Sequence, residues 1–304
     1  MCRSKKAFSM LELVFVIVVI GILSKFGVEF LAQAYRNFIY SNINNKLQAK
    51  SEAAVEFIAK RLQYRIKGSE ISRQGLAGAP TSINDATVTG QAWTVLEWVS
   101  EDVDGYRGIR APYWSGVLDL DDPNTANNNL ISLGTNLTDV STNIQNLGGV
   151  GIADTAIHFV GGVQDIRGFG YENPGVGVAA LNSFDRSIHL IGGNANAITG
   201  TFGGVETFEY YKLAWTAYGI HHDNSDRLWL YYNYQPWLGD DINDNGIQRQ
   251  LIMENVSSFQ FIALDNLIKI QVCVDSAGII SGDVKDDSET ASGEYAICKD
   301  KTVF

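Results

Sequence analysis

The sequence has little proline, and outside its first residues it has no excess of positive charge. Only 5 of the 304 residues are proline, beside 30 glycines and an aromatic content of 11%. Disordered chains are poor in aromatic residues and rich in proline, so this composition indicates a loop-rich β protein. With 45% hydrophobic residues, the chain is long enough for one large domain or two small ones.

The charge balance argues against one class of partner. The net charge is −11, and Arg3, Lys5 and Lys6 supply three of the positive charges. The remainder has 20 basic and 34 acidic side chains, or −14. An acidic body repels phosphate backbones, so we expect no nucleic-acid binding through bulk charge. The acidic net charge does not exclude a local basic patch formed by Lys60, Arg61, Arg65 and Lys67.

The residues that enzymes use are not arranged for catalysis. No Ser/His/Asp or Cys/His arrangement can be assembled with confidence, and no repeat of fixed period is found. His221, His222 and Asp223 are adjacent on a predicted turn, where neighbouring side chains point apart rather than toward one metal. We therefore expect a protein that is not an enzyme.

The first residues form a charged segment followed by an apolar one. Residues 1–7 are short and positive, and Phe8 to Leu23 is almost purely apolar. Its length of about 16 residues is near the lower limit for a membrane helix. Basic residues before it predict a cytoplasmic N-terminus and an outward C-terminus. No small-residue cleavage site follows the apolar run, unlike in a secretory signal peptide.

Glu12 is an unusual residue for this apolar segment. A carboxylate in a membrane is costly, so it is either a functional group with a partner or a charge shallow enough to reach the headgroups. Its position alone does not choose between these two interpretations.

The segment Lys5-Lys6-Ala7-Phe8-Ser9-Met10-Leu11-Glu12-Leu13 resembles the class III signal of type IV pilins and type II secretion pseudopilins. The resemblance covers roughly residues 1–30. It implies cleavage by prepilin peptidase between Ala7 and Phe8, and N-methylation of Phe8. It also implies that Glu12 pairs with the α-amino group of a neighbouring subunit, which would give the carboxylate a partner. One departure is Ala7, because the family usually has glycine before the cut.

The sequence predicts one long helix over residues 8–67. From Ser24 to Ile66 there is no proline and the only glycine is Gly27, while apolar residues recur at helical spacing. Residues 8–24 form the transmembrane half and residues 25–67 the amphipathic half. In the pilin pattern the first half packs in the filament core and the second supports the head. The alternative is a plain signal anchor followed by a stalk.

Residues 68–304 are predicted as a globular β-rich head, which makes the fold α+β and pilin-like. Residues 69–90 read as a linker or ordered loop, 92–99 as a strand or short helix, and 119–150 as long loops with short strands. Clearer strands follow from about residue 157, and 210–237 reads as a β-hairpin.

The final strands resemble those of large minor pilins or pseudopilins of the J or W type. The chain length agrees, since major pilins are commonly about half as long.

Two cysteines remain after the predicted cleavage, because Cys2 lies in the leader. In an exported domain Cys273 and Cys298 suggest one disulfide, and pilins often close a C-terminal loop in this way. The alternative is two reduced thiols.

One acidic segment resembles part of a metal-binding loop. Asp241, Asn243 and Asn245 alternate before Gly246, as in the first half of an EF-hand-type calcium loop, and the carbonyl of Ile247 would be the next ligand. The bidentate acid is missing, because Ile252 stands at position twelve. Calcium is therefore a candidate cofactor, against the alternative of an Asx-rich turn without metal.

These observations lead to two hypotheses of function. The first is a structural subunit of a type IV pilus or secretion pseudopilus, a minor initiation or tip pilin. Its expected partners are other pilin or pseudopilin subunits, prepilin peptidase and the inner-membrane assembly platform. Its expected place is the inner membrane with the head exported, and then the periplasmic pseudopilus or surface pilus. The second is an adhesin-like minor pilin whose head binds a surface or ligand. An aromatic run could stack on sugars, against the more common alternative that such a strand packs a core: Trp229, Tyr231, Tyr232, Tyr234 and Trp237.

Overall fold

A computed structural model gives the fold and describes residues 9–161, 166–171, 188–264, 266–276 and 296–304. The chain divides into two compact units, Met1–Ala49 and Lys50–Phe304. A single helix, α1 (Met10–Leu62, 53 residues), supplies the whole described part of the first unit and continues into the second. The long N-terminal helix predicted from the sequence is therefore confirmed.

Helix α1 ends at Leu62, five residues before the predicted Lys67. The chain then pairs with a strand instead of continuing the helix. The N–H of Ile66 donates to the carbonyl of Val99 at 2.9 Å, and the N–H of Glu101 donates to the carbonyl of Tyr64 at 2.9 Å. These sheet bonds satisfy backbone groups that a longer helix would have paired internally.

Antiparallel strands form most of the second unit. In chain order its elements are β1 (Ile71–Arg73), β2 (Thr81–Ser82), β3 (Val95–Glu101), α2 (Val103–Arg107), β4 (Asn129–Ile131), α3 (Leu137–Asn146), β5 (Ala156–Phe159), β6 (His189–Asn194), β7 (Ala197–Gly200), β8 (Tyr211–His222), β9 (Arg227–Tyr234), β10 (Gln248–Glu254), β11 (Val256–Leu264), β12 (Leu267–Asp275) and β13 (Ala296–Val303). This composition confirms the predicted α+β class with a β-rich head.

Within the described residues, the strands form two sheets. The larger sheet has ten strands in the order β2-β1-β3-β8-β5-β6-β7-β4, with β9 beside β8 and β10 beside β9. The smaller sheet has the order β11-β12-β13. The long strand β8 is central, because it pairs with β3 along one edge and with β5 and β9 along the other.

The predicted hairpin at 210–237 is confirmed as β8 and β9, joined by a turn at residues 223–226. Residues 249–264 belong to two strands, β10 and β11. Asn255 separates them with a φ of +62°, a left-handed conformation that asparagine tolerates better than most residues. The chain leaves the large sheet at this residue and enters the small one.

Several elements were not predicted, among them β1, α3 and β13. Strand β1 lies inside the supposed linker 69–90, and all three of its residues are buried. Helix α3 lies inside the supposed loops of 119–150, with Leu137, Val140 and Ile144 buried at helical spacing. Strand β13 lies next to the C-terminus and completes the small sheet.

The end of α1 belongs to the head and packs on its β-structure. From Lys50 onward its buried residues recur every three or four positions, which is the spacing of one helix face. They are Ala54, Val55, Ile58, Ala59 and Leu62. On the same stretch, the Lys301 ammonium of β13 makes a salt bridge with the carboxylate of Glu56. The buried apolar residues form one face on the last turns of α1.

Candidate functional site

The first half of α1 presents a largely apolar surface. Large apolar side chains stand exposed from Met10 to Leu31, and even Val19, among the least exposed of them, has 36% of its surface accessible. Water solvates such a surface poorly, since each buried methylene is worth about 0.8 kcal/mol. Among the described residues, α1 is the one helix long and apolar enough to cross a membrane. By length and composition, this helix is compatible with a single membrane span.

The helix begins with a capping arrangement that involves Glu12. The hydroxyl of Ser9 accepts a hydrogen bond from the backbone N–H of Glu12 at 3.3 Å, and the carbonyl of Ser9 accepts one from Leu13 at 3.2 Å. Ser9 is therefore the N-cap, with a glutamate at the third helical position as in a capping box. A carboxylate in the first turn also interacts favourably with the helix dipole. The spacing Ser-x-x-Glu could have predicted this role from the sequence.

The predicted cleavage site lies outside the described residues. Ala7 and Phe8 precede Ser9, so the structure tests neither the cut between them nor the methylation of Phe8. It places the start of α1 two residues after Phe8, at Met10.

Arg65 connects the chain just beyond α1 to Glu70 and to residues next to the small sheet. Its guanidinium pairs with the carboxylate of Glu70 and donates to the carbonyls of Leu62 at 3.0 Å, Phe304 at 2.9 Å and Asn266 at 2.7 Å. The side chain is only 1% exposed. Arg65 is therefore not part of the surface basic patch that the sequence left open. Proximity to other basic residues suggested exposure, whereas the acceptors that bury it come from distant positions.

The two remaining cysteines form the predicted disulfide. Cys273 on β12 and Cys298 on β13 are bonded and lie directly opposite each other in the strand register. The bond therefore joins neighbouring strands of the small sheet and closes a loop with a sequence separation of 25.

The acidic loop that resembles a calcium site follows β9 and precedes β10. Its residues Asn243 and Asn245 are exposed, and Gly246 has a φ of +105° in open space, as the sharp turn requires. Between them Asp244 accepts a hydrogen bond from the N–H of Asp241 at 2.8 Å. The loop is anchored by Ile242, which is 1% exposed in the core.

Asp241, the first predicted ligand, is already bound within the protein. One carboxylate oxygen accepts from the N–H of Asn243 at 2.9 Å, and the other makes a salt bridge with Arg73 at 2.8 Å. Both oxygens thus have donors before any metal is considered. Ile247, whose carbonyl was the fourth predicted ligand, packs its side chain against the core cluster around Tyr234 and Ile242. Calcium stays a prediction, and any ion here would compete with Arg73 for Asp241.

The aromatic run on β9 does not offer a row of free ring faces. Tyr231, Tyr234 and Trp237 are buried. Trp229 lies under two guanidinium groups, those of Arg227 at 5.3 Å and Arg249 at 4.7 Å from its ring centroid. These cation–π contacts cover the surface on which a sugar would stack.

His221 and His222 occupy successive positions of β8, so their side chains point to opposite faces of the sheet. The ring of His222 is hydrogen-bonded to the carbonyl of Val256 at 2.7 Å. Among the described residues, no group of three or more His, Cys, Asp or Glu side chains is placed to hold a metal ion.

Comparisons with protein-family models, with curated proteins and with solved structures give no match for this chain. The function is therefore proposed from the features described above.

Proposed function

We propose that this chain is a filament subunit of the type IV pilin or pseudopilin kind, with a structural and non-enzymatic role. Its apolar helix holds it in the inner membrane with the head exported, and cleavage between Ala7 and Phe8 prepares it for assembly. The observation that carries the proposal is the continuity of α1. One 53-residue helix has an exposed apolar first half and a last part that is built into the head.

Continuity distinguishes this plan from a simple membrane anchor. An anchor needs about 20 apolar residues, after which a flexible linker is sufficient. Here α1 instead passes into the head without a break, and Arg65 fixes the chain just beyond its end. A continuous helix of 53 residues supports a subunit of this kind. It is a costly way to build a tethered domain, because every helical residue loses backbone freedom.

Glu12 distinguishes one end of the apolar part of α1 from the other. Between Met10 and Leu23 it is the only charged residue of α1. In an apolar environment its carboxylate needs a cationic partner. The α-amino group of Phe8 from a neighbouring subunit, which the family resemblance implies, would meet this need and set the axial position of one helix on the next. The length of the head and its terminal strands support a minor subunit at or near a filament tip.

The decisive experiment is mass spectrometry of the mature N-terminus in cells with active prepilin peptidase. We expect the chain to start at Phe8 with a methylated amino group. A chain that keeps Met1 in such cells would overturn the proposal. Ala7→Gly, which restores the family residue, serves as the processing control.

A matched pair of helix variants tests the assembly step. Glu12→Gln keeps length and polarity but removes the charge. Glu29→Gln does the same 17 residues further along α1, which is about 25 Å at a rise of about 1.5 Å per residue. We expect both variants to be cleaved and inserted, and only Glu12→Gln to be lost from sheared filaments. Equal incorporation of both would contradict the assigned role of Glu12. The adhesin hypothesis predicts a different result for deletion, namely normal filaments that no longer attach.

A further inference from the structure

A buried arginine lies beneath the acidic loop, between two carboxylates. The Nε of Arg73 is 2.6 Å from an oxygen of Glu97, and its Nη1 is 2.8 Å from an oxygen of Asp241. The side chains of Arg73 and Glu97 are 5% and 0% exposed, and that of Asp241 is 14% exposed. Strands β1 and β3 are neighbours in the sheet, so they bring Arg73 and Glu97 together, and the loop after β9 brings Asp241.

The rest of this cluster is satisfied by protein groups. The hydroxyl of Tyr234 donates to the second oxygen of Glu97 at 2.9 Å, and Arg73 also donates to the carbonyl of Gly78 at 3.3 Å. Burial raises the pKa of Glu97, and the charge of Arg73 opposes that rise. A buried carboxylate without its cation would be unstable, so Arg73 is required for Glu97 as well as for Asp241.

We propose that Arg73 is the built-in cation of the acidic loop, so that residues 240–246 fold without metal and a divalent cation binds there only when Arg73 is removed. A guanidinium and a hard divalent cation both bind carboxylate oxygens. The oxygen of Asp241 that faces the protein is held by Arg73, and the other is held by the N–H of Asn243. The alternating Asp and Asn pattern is then the sequence of an Asx-rich turn closed by an internal ion pair.

The loop also has an apolar anchor that does not depend on a metal. Ile242 is buried with Val95, Ala217, Tyr231 and Tyr234. Its side chain approaches Gly219 so closely that a Cβ on that residue would lie 2.3 Å from Ile242 Cδ1. The loop is therefore fixed from below by Ile242 and Arg73 together, and no further ligand is needed to order it.

Thermal unfolding of the full chain in detergent, with calcium or with a chelator, tests the proposal. We expect the wild type to unfold at the same temperature in both conditions. Arg73→Ala leaves two close carboxylates and space between them, so its Tm should fall by several degrees with chelator and recover in part with millimolar calcium. Arg73→Ala combined with Asp241→Asn should lose this recovery. Arg249→Ala, an exposed arginine on the adjacent strand β10, is the matched control and should show no calcium effect.

Two results would overturn the proposal. One is a calcium-dependent rise of the wild-type Tm that Asp241→Ala abolishes, because the loop would then bind metal with Arg73 present. The other is an Arg73→Ala variant that is as stable as the wild type with chelator. If Arg73→Ala does not fold, the comparison of the wild type with Asp241→Asn still tests the proposal. The Tm of Asp241→Asn should then lie below that of the wild type by the same amount with calcium and with chelator. None of these outcomes depends on cleavage or filament assembly, so they are independent of the proposed function.

Discussion

Replacing Arg65 by methionine should destabilise the head strongly. Methionine has a similar length and fills much of the same space, so the loss is mainly electrostatic. The variant removes the partner of the Glu70 carboxylate, which is 6% exposed, and the donor to three backbone carbonyls. Glu70 keeps one bond, from the N–H of Gly68 at 2.7 Å.

The expected magnitude follows from the burial of the pair. Removing one partner of a buried ion pair costs about 3–5 kcal/mol, because the other charge stays buried and unpaired. For a unit of this size, each kcal/mol corresponds to a Tm shift of about 2–4 °C. We therefore expect Arg65→Met to lower the Tm by roughly 6–20 °C. Adding Glu70→Gln should restore part of the loss, since it removes the unpaired charge.

Circular dichroism of the full chain in detergent, heated at neutral pH, measures this effect. The control is Lys269→Met, because the Lys269–Asp300 pair is about half exposed on both sides and should be worth less than about 1 kcal/mol. Equal Tm values for Arg65→Met and Lys269→Met would refute the reasoning. It would mean that the contacts of Arg65 contribute no more than a surface ion pair.

Two further predictions concern the same unit. Asp102 is buried at the start of α2, where its carboxylate accepts from the N–H of Gly105 at 3.0 Å, and burial raises the pKa of Asp102 from 3.8 to about 6. The folded state then holds a proton that the unfolded state releases, so stability falls as the pH rises from about 4 to about 6 and is constant above. Asp102→Asn should remove this slope and add up to about 3 kcal/mol at pH 7, which a pH series of urea titrations measures; an unchanged slope would contradict it. Cys298→Ser should cost about 3 kcal/mol on the chain-entropy model, with no further loss when reductant is added. Equal stability of that variant and the oxidised wild type in urea would contradict the expectation.

The regular periodic segments could be predicted from the sequence, and the reasons are local. The helix follows from 43 consecutive residues without proline and with apolar residues at helical spacing. The hairpin of β8 and β9 follows from two runs rich in aromatic and apolar residues on both sides of a polar turn. In each case the signal lies within a short stretch of chain, and tertiary contacts do not overrule it.

Helix α3 had a local signal in the helical spacing of Leu137, Val140 and Ile144, whereas other missed features depend on distant partners. Strand β1 has three residues and is stable only because β2 and β3 flank it. The burial of Arg65 requires carbonyls more than 200 positions away. The ion pair of Arg73 with Asp241 joins β1 to the loop between β9 and β10, which is far along the chain. No property of the local sequence distinguishes these arginines from exposed ones.

The Cys273–Cys298 bond has a consequence for the segment that it closes. The two Cα atoms are 3.9 Å apart, and the pairing of β12 with β13 continues from Asp275–Ala296 to Ile268–Val303. The alignment of these strands is thus set by a covalent link and a ladder of hydrogen bonds, and the length of the connecting chain does not enter it. The head can therefore accept longer, shorter or foreign sequence between the two cysteines while the sheet on either side keeps its alignment. For an engineer, this segment is a place to insert an epitope.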